Sequence, residues 1–354
     1  MLKFVCKLLY IILSICRNDR QHAKGMGIIM TQEHSPRKLT FGLLFFTALI
    51  LAASLPIRIF QQLYLIEGNG FWRQKEATQI LLYILLGVTV LVPVVLCFFK
   101  RREAALDLTR RRRIPEGIFA LFASFAMMTD AVIAAQLLQT TMADMAGIGF
   151  KELMQSVLRS GAMATVGEVV FAVLSALFFI FLTMVDWFPK KKIYLNRLLS
   201  LAPLFWAASS MLRRFSRTIN YLRVSDLALG LLALAALTLF FLYFAQAVSS
   251  ISDEGRAARL FAAGIPAAVF GLLCFVPRLA GYLAGNALSQ DATLDIWSLA
   301  LPVFILAWIG GRLMTVPTTA VAAEAAAETE EPEISEENKA ETEAEEIEDI
   351  KIED

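Results

Sequence analysis

Residues 162–185 carry the sequence AMATVGEVVFAVLSALFFIFLTMV, and this stretch decides the fold class of the chain. It contains a single charged residue, Glu168, among 24 mostly apolar ones. Because an α-helix rises about 1.5 Å per residue, a helix of this length reaches across the roughly 30 Å hydrocarbon core of a bilayer. The stretch therefore predicts a transmembrane helix.

Further apolar runs of similar length lie on both sides of this stretch. The eight predicted spans are residues 39–57, 79–99, 115–138, 162–185, 198–212, 227–248, 260–283 and 296–314. Most of the connections are short, so successive helices are expected to be antiparallel neighbours. We predict an all-α protein, a polytopic transmembrane helical bundle that occupies residues 39–314.

The composition agrees with this fold and shows an uneven distribution of charge. Hydrophobic residues make up 57% of the chain and charged residues 18%, whereas soluble domains contain about 25% charged residues. From Glu324 onward there are 15 of the 32 acidic residues and two of the 33 basic ones. The tail, residues 315–354, lacks the apolar surface needed to form a core, so we predict that it is disordered.

The amino-terminal segment, residues 1–38, is predicted to be cytoplasmic. Its apolar run, residues 8–16, is too short to span a bilayer, and no small-residue cleavage site follows it, which argues against a cleaved signal peptide. We interpret residues 1–25 as an artefact of the chosen start, with translation beginning at Met26 or Met30, or as a loose interfacial anchor.

Lysine and arginine residues in the short connections predict the orientation of the bundle, because cytoplasmic loops are enriched in them. The connection between the second and third spans and the connection between the fourth and fifth spans are both strongly basic. Both are therefore expected in the cytoplasm, together with the amino terminus and the acidic tail.

The fifth span is the weakest of the eight, because residues 198–212 cover only about 22 Å as a helix. With eight crossings, the four arginines between residues 213 and 223 lie outside the cell, against the positive-inside rule. A re-entrant fifth segment would keep them inside but would export the tail, and we favour eight crossings. Residues 212–222 also have the spacing of an amphipathic interfacial helix; alternatively, these arginines reach from the end of the span to the interface.

Charged residues inside the predicted spans are the best functional signal, because a carboxylate at the centre of a bilayer costs about 2.5–3.5 kcal/mol on insertion scales. Asp130, Glu168 and Arg278 are such residues, and Arg58 lies at the outer end of the first span. The first three lie on stripes of small or polar residues, which mark the packed side of membrane helices. The stripes are Ala123, Ala126, Asp130 and Ala134; Gly161, Thr165, Glu168, Ala172 and Ser175; and Ala267, Gly271, Cys274, Arg278, Gly281 and Gly285.

We expect these charged residues to face the bundle interior at similar depths. One hypothesis is an outward-facing polar cavity in which an arginine, Arg278 foremost, pairs with Asp130 or Glu168, and the other carboxylate is available for a ligand or a proton. The alternative is a structural salt bridge that locks the bundle together.

The connection between the second and third spans contains Lys100, Arg101, Arg102, Arg110, Arg111, Arg112 and Arg113. Each basic residue near a membrane surface attracts anionic lipid heads by about 1 kcal/mol, so this loop is a predicted lipid-facing surface. Alternatively, it only fixes the topology. No aromatic residue lies between its arginines to stack on bases, so no nucleic-acid partner is predicted.

The chain lacks the motifs of several enzyme classes. Both histidines, His22 and His34, precede the first span, and the four cysteines have no metal-ligand or redox spacing. A Walker-type loop, an H-E-x-x-H motif and a G-x-S-x-G motif are also missing from the sequence. We assign no catalytic residue, no cofactor and no metal site, and we favour a protein that is not an enzyme.

Two short regions carry a resemblance to known proteins. The run LPIRIFQQL at residues 55–63, followed by Gly70-Phe-Trp and later by Pro203-Leu-Phe-Trp, resembles multi-pass membrane proteins of Clostridia-type bacteria. The resemblance implies a bacterial cytoplasmic membrane and no particular activity.

Three functional hypotheses follow from the residues. The leading one is transport or small-ligand sensing through the polar cavity. The alternative is a non-catalytic scaffold whose tail and basic loops recruit cytoplasmic partners or anionic lipid. A membrane enzyme that uses the carboxylates of Asp130 and Glu168 is the third.

Overall fold

A computed structural model describes residues 35–65, 77–99, 113–144, 161–188, 197–216, 224–249, 256–284 and 295–313. These ranges are helical apart from caps and short turns, which confirms the predicted all-α fold. The helices are α1 (Ser35–Phe60), α2 (Ala77–Phe99), α3 (Ile114–Asp144), α4 (Ala162–Trp187), α5 (Ala202–Ser216), α6 (Val224–Val248), α7 (Arg256–Leu283) and α8 (Trp297–Leu313). A π-helical turn, Gln61–Leu65, extends α1, and a 3-10 turn, Leu199–Leu201, leads into α5.

Each predicted span corresponds to one of these helices, and six of them are long and apolar enough to cross a membrane. The six are α1, α2, α3, α4, α6 and α7. The two shorter ones are α8, which is apolar over Trp297–Gly311, and α5, which has only 15 residues. The predictions made for residues 1–34 and 314–354 lie outside the described residues.

Helix α7 occupies the centre of the bundle. It packs against α1, α2, α6 and α8, and 89% of the residues in its most apolar 18-residue stretch are buried. Glycines permit these close approaches: a Cβ atom built on Gly271 would overlap with Pro302 of α8, and one built on Gly264 would lie 2.7 Å from Ile309. Because lipid chains are as apolar as the core, membrane helices associate largely through such close packing.

The remaining helices, α3, α4 and α5, pack beside this group, and the bundle leaves large apolar side chains on the outside. α3 packs against α4 and α8, and α5 packs between α4 and α6. Phe98 and Phe99 on α2 and Phe125 on α3 are among the exposed apolar residues. An outer surface of this kind suits lipid and not water. The chain is therefore a helical integral membrane protein.

Seven buried rings form a cluster that we call the aromatic layer. Neighbouring ring centroids are 4.9–6.4 Å apart, and most pairs are edge-to-face, as aromatic quadrupoles prefer. The members are Phe178, Phe179, Phe240, Phe241, Phe244, Phe304 and Trp308. All seven side chains are fully buried, so this part of the bundle is closely packed from α4 to α8.

Candidate functional site

A second buried cluster, which we call the polar layer, lies nearer the end of the bundle where α4 begins. Glu168 is ten residues before Phe178 on α4, a separation of about 15 Å along the helix. The members of the polar layer are Asp130 of α3, Glu168 of α4, Trp206, Ser210, Arg213 and Arg214 of α5, Arg278 of α7, and Asp295 and Trp297 at the start of α8.

Glu168 is fully buried and forms an ion pair with Arg213. The Nη2 atom of Arg213 donates to Oε1 at 2.9 Å, and its Nε atom contacts Oε2. One carboxylate oxygen therefore accepts a charge-assisted hydrogen bond, and the other lies against the same guanidinium group without hydrogen-bond geometry. The close packing of α5 on α4 permits it, since Gly167 of α4 lies directly against Ser209 of α5.

Asp295 is held by two arginines from different helices. Arg214 of α5 and Arg278 of α7 both reach its Oδ2 atom, with Nη2 at 3.2 Å and Nη1 at 3.3 Å respectively. The Arg214 guanidinium also lies 5.5 Å from the centroid of the Trp297 ring, which is a cation–π distance. The start of α8 is thus joined to α5 and α7 through charge.

Asp130 has a different environment from the other two carboxylates. Its Oδ2 atom accepts a hydrogen bond of 2.8 Å from the indole N–H of Trp206, whose ring packs edge-on against Trp297 at 5.5 Å. Glu168, Asp295 and Arg213 are close enough for their charges to act on the Asp130 carboxyl group. Among the described residues, however, the only group that hydrogen-bonds it is a neutral one.

Ser210 contributes a buried hydroxyl group to the polar layer. Its side chain is fully buried, and its hydroxyl has no hydrogen-bond partner within the described ranges. Spacing places Ser210 on the same face of α5 as Trp206, Arg213 and Arg214, because residues three and four apart are neighbours on a helix. The opposite face carries the exposed residues Phe205, Leu212 and Phe215. The hydroxyl therefore lies on the face of α5 that forms the polar layer.

The structure brings the three predicted intramembrane charges into one layer but pairs them differently from the expectation. Glu168 pairs with Arg213, and the carboxylate found on Arg278 is Asp295. The expected ion pair between Arg278 and Asp130 or Glu168 is therefore wrong. The reason is helix packing: α5, and not α7, packs closely against the face of α4 that carries Glu168.

Arg58, the fourth predicted charge, is buried at the end of α1. Its Nη1 atom lies 3.4 Å from Oε1 of Gln61, at the start of the π-helical turn. The side chain of Gln61 in turn donates to the carbonyl of Thr78 at 3.0 Å. These bonds tie the end of α1 to the start of α2.

The predicted lipid-facing basic loop is described only at its last residue, Arg113. This side chain is 8% exposed, and its Nη1 atom donates to Glu116 at 3.2 Å. Its backbone N–H donates to the carbonyl of Asp186, which fixes the start of α3 against the end of α4. Arg113 therefore retains little surface for lipid contact. Lys100, Arg101, Arg102, Arg110, Arg111 and Arg112 lie outside the described residues.

Sequence reasoning missed three charged members of the polar layer, namely Arg213, Arg214 and Asp295, as well as Trp206, Ser210 and Trp297. We expected the arginines either on an interfacial helix or reaching to the interface, but both side chains turn inward and pair with carboxylates. One signal could have identified them, since two arginines against the positive-inside rule need a counter-charge. Asp295 gave no such signal, because it precedes the apolar run of the last span.

The polar layer contains carboxylate, guanidinium, hydroxyl and indole groups, which can pair with charged or hydrogen-bonding groups. Within the described ranges, no three His, Cys, Asp or Glu side chains are placed to hold a metal ion together. No family model, curated protein or solved structure matches this chain.

Proposed function

We propose that this integral membrane protein binds a small polar ligand in the polar layer, either to transport it or to sense it. The proposal rests on the environment of Asp130. This buried carboxylate accepts a hydrogen bond from a neutral indole N–H, whereas Glu168 and Asp295 form ion pairs with arginines. An ionisable residue inside a membrane is costly to keep, and in general such residues mark ligand or proton pathways.

A purely structural role accounts for part of the polar layer only. The pairs formed by Glu168 and Asp295 join α4 to α5 and α5 to α7 and α8, as an interhelical lock would. Asp130 adds only the hydrogen bond from Trp206 to such a lock, and Ser210 adds no hydrogen bond within the described residues, although a buried polar group that lacks a partner lowers stability. Their retention is explained if a ligand completes their bonds.

Access to the site is proposed from the end of the bundle where α4 begins. Side chains of Arg213, Arg214, Arg278 and Asp295 there are 15–17% exposed, whereas every ring of the aromatic layer is fully buried. In the orientation predicted by the basic loops, this end faces the outside of a bacterial cytoplasmic membrane, with the tail in the cytoplasm. The positive-inside rule counts charges in loops. Because Arg213 and Arg214 turn inward and pair with carboxylates, they conflict less with this orientation than arginines in a loop would.

Cysteine labelling tests whether the polar layer opens to water. In a variant whose four native cysteines are replaced by alanine, Ser210→Cys is compared with Ser124→Cys. Both hydroxyl groups are buried, but Ser124 bonds to the carbonyl of Ala176, next to the aromatic layer. We expect a membrane-impermeant thiol reagent added to intact cells to modify Ser210→Cys at least tenfold faster.

The same labelling separates the two modes of action. Modification of Ser210→Cys from either side of sealed vesicles indicates alternating access and hence transport, whereas modification from one side only indicates sensing. Equal, negligible rates at both positions would contradict the proposed function.

A further inference from the structure

We propose that the ligand of the polar layer carries a protonated primary amine, whose ammonium group binds Asp130 and also donates to Ser210, which lies one helical turn beyond the Trp206 that bonds Asp130. This inference rests on the proposed function and specifies the class of ligand. It concerns the ammonium end of that ligand and applies equally to a metabolite and to a simple alkylamine.

The distribution of charge favours a cation at this position. Of the three carboxylates in the polar layer, Glu168 and Asp295 have guanidinium partners, and Asp130 has the N–H of Trp206. Arg213 is the guanidinium that acts on Asp130, but its Nη2 and Nε atoms are engaged by Glu168. An anionic ligand would meet the negative charge of Asp130 directly, so it is disfavoured here.

The hydrogen-bonding groups at the site favour a cation that carries N–H donors. Trp206 uses Oδ2 of Asp130, and no bond within the described residues uses Oδ1. The hydroxyl of Ser210 is a second acceptor, fully buried and without a partner in that part of the chain. A primary ammonium group has three N–H donors and can satisfy both acceptors, whereas a quaternary ammonium group has none.

The aromatic residues beside Asp130 suit the same ligand. Trp206 is buried and bonded to Asp130, and indole rings attract cations through their negative faces. Trp297, whose centroid lies 5.5 Å from that of Trp206, already has the guanidinium of Arg214 beside its ring. Hard metal ions are a poorer fit, because Ca²⁺ and Mg²⁺ require about six or more oxygen ligands. Asp130 and Ser210 supply one carboxylate and one hydroxyl group.

Thermal unfolding of the full chain in lipid nanodiscs tests the inference with simple probes. Methylammonium chloride is titrated against tetramethylammonium chloride and sodium chloride at the same ionic strength. A ligand that binds only the folded state raises Tm saturably, and we expect a rise of about 2 °C with methylammonium and none with the other two salts. Methylammonium should also slow thiol labelling of the Ser210→Cys variant, at about tenfold higher concentration because this variant lacks the hydroxyl acceptor.

Three variants assign the effect to the proposed groups. Asp130→Asn keeps the acceptor for Trp206 and removes the charge, so it should abolish the rise in Tm, and Ser210→Ala should weaken methylammonium binding about tenfold. Glu116→Gln is the matched control, because it removes a buried carboxylate at the opposite end of the bundle. It should keep the full effect of methylammonium relative to its own Tm.

Two outcomes would overturn the inference. One is that no ammonium salt raises Tm or slows labelling. The other is that Asp130→Asn responds as the unmodified protein does. If Ser210→Cys is still labelled in either case, the polar layer opens and only the ligand class is wrong, whereas absence of labelling contradicts the proposed function itself.

Discussion

The polar layer and the aromatic layer are both buried in the same bundle, yet different forces hold them together. Transfer of the aromatic rings from lipid into the protein interior adds little stability, because lipid chains are as apolar as phenylalanine. Its rings contribute packing and edge-to-face contacts. The polar layer contributes pairs of opposite charge, and loss of one partner leaves the other charge stranded in the membrane. The aromatic layer therefore tolerates gradual change, whereas the polar layer does not.

The largest expected effect is the loss of Arg213, the partner of the fully buried Glu168. Arg213→Leu should lower the free energy of unfolding by about 3–5 kcal/mol, because it leaves an uncompensated buried carboxylate. Reversible unfolding in mixed micelles measures the change.

A double-mutant cycle sharpens this prediction. Arg213→Leu combined with Glu168→Gln should recover much of the lost stability, since the stranded charge is then gone. Additive losses in the double variant would show that the two side chains do not interact and that the two layers do not differ as described.

The aromatic layer should respond less to removal of its central ring. Phe244 contacts five other members of the layer. We expect Phe244→Ala to cost about 2–3 kcal/mol, because the cavity term remains while the transfer term is small in lipid. Phe244→Leu, which fills part of the cavity, should cost about half as much in the same unfolding assay. A loss larger than that of Arg213→Leu would reverse the comparison.

A smaller effect is expected where the two layers meet. Gly271 lies against Ser298 and Pro302 of α8. Along α8, these two residues lie between Trp297 of the polar layer and Phe304 of the aromatic layer. A Cβ atom added to Gly271 would overlap with the proline ring. Gly271→Ala should cost about 1–2 kcal/mol through forced separation of α7 and α8. Gly281→Ala is the control on the same helix, because its Cβ atom would lie 3.9 Å from Gln62. Equal losses of Tm for the two variants would contradict the proposed close approach.

The smallest expected effect on stability is that of Asp130→Asn. The amide keeps an oxygen to accept the indole N–H of Trp206 and removes a charge that has no basic hydrogen-bond partner among the described residues. We expect a change within about 0.5 kcal/mol, as for substitutions that break no required interaction. Destabilisation comparable to that of Arg213→Leu would mean that Asp130 belongs to the structural pairs.

The fold could be predicted from the sequence, and the ion pairs could not, for a physical reason. A run such as residues 162–185 must be a membrane helix whatever its neighbours are, because its length and apolar composition settle the matter locally. Whether Glu168 meets Arg213 or Arg278 depends on which helix packs against one face of α4, and that is a property of the whole bundle. Stripes of small residues predicted which face turns inward, but not which partner it meets.

The inward position of Arg213 also has a consequence for how the chain is made. Helix α5 is only 15 residues long and carries two arginines in its last turn. On insertion scales an arginine costs about 2.5–3.5 kcal/mol at the centre of the membrane and less near a helix end, where it can reach the interface. Such a segment is poorly inserted by the translocation machinery alone, so we expect α4 and α5 to enter the bilayer as one hairpin, with Glu168 already present when Arg213 emerges. If residue 168 were neutral, we expect α5 to remain outside the membrane. Helices α6, α7 and α8 would then insert with the opposite orientation.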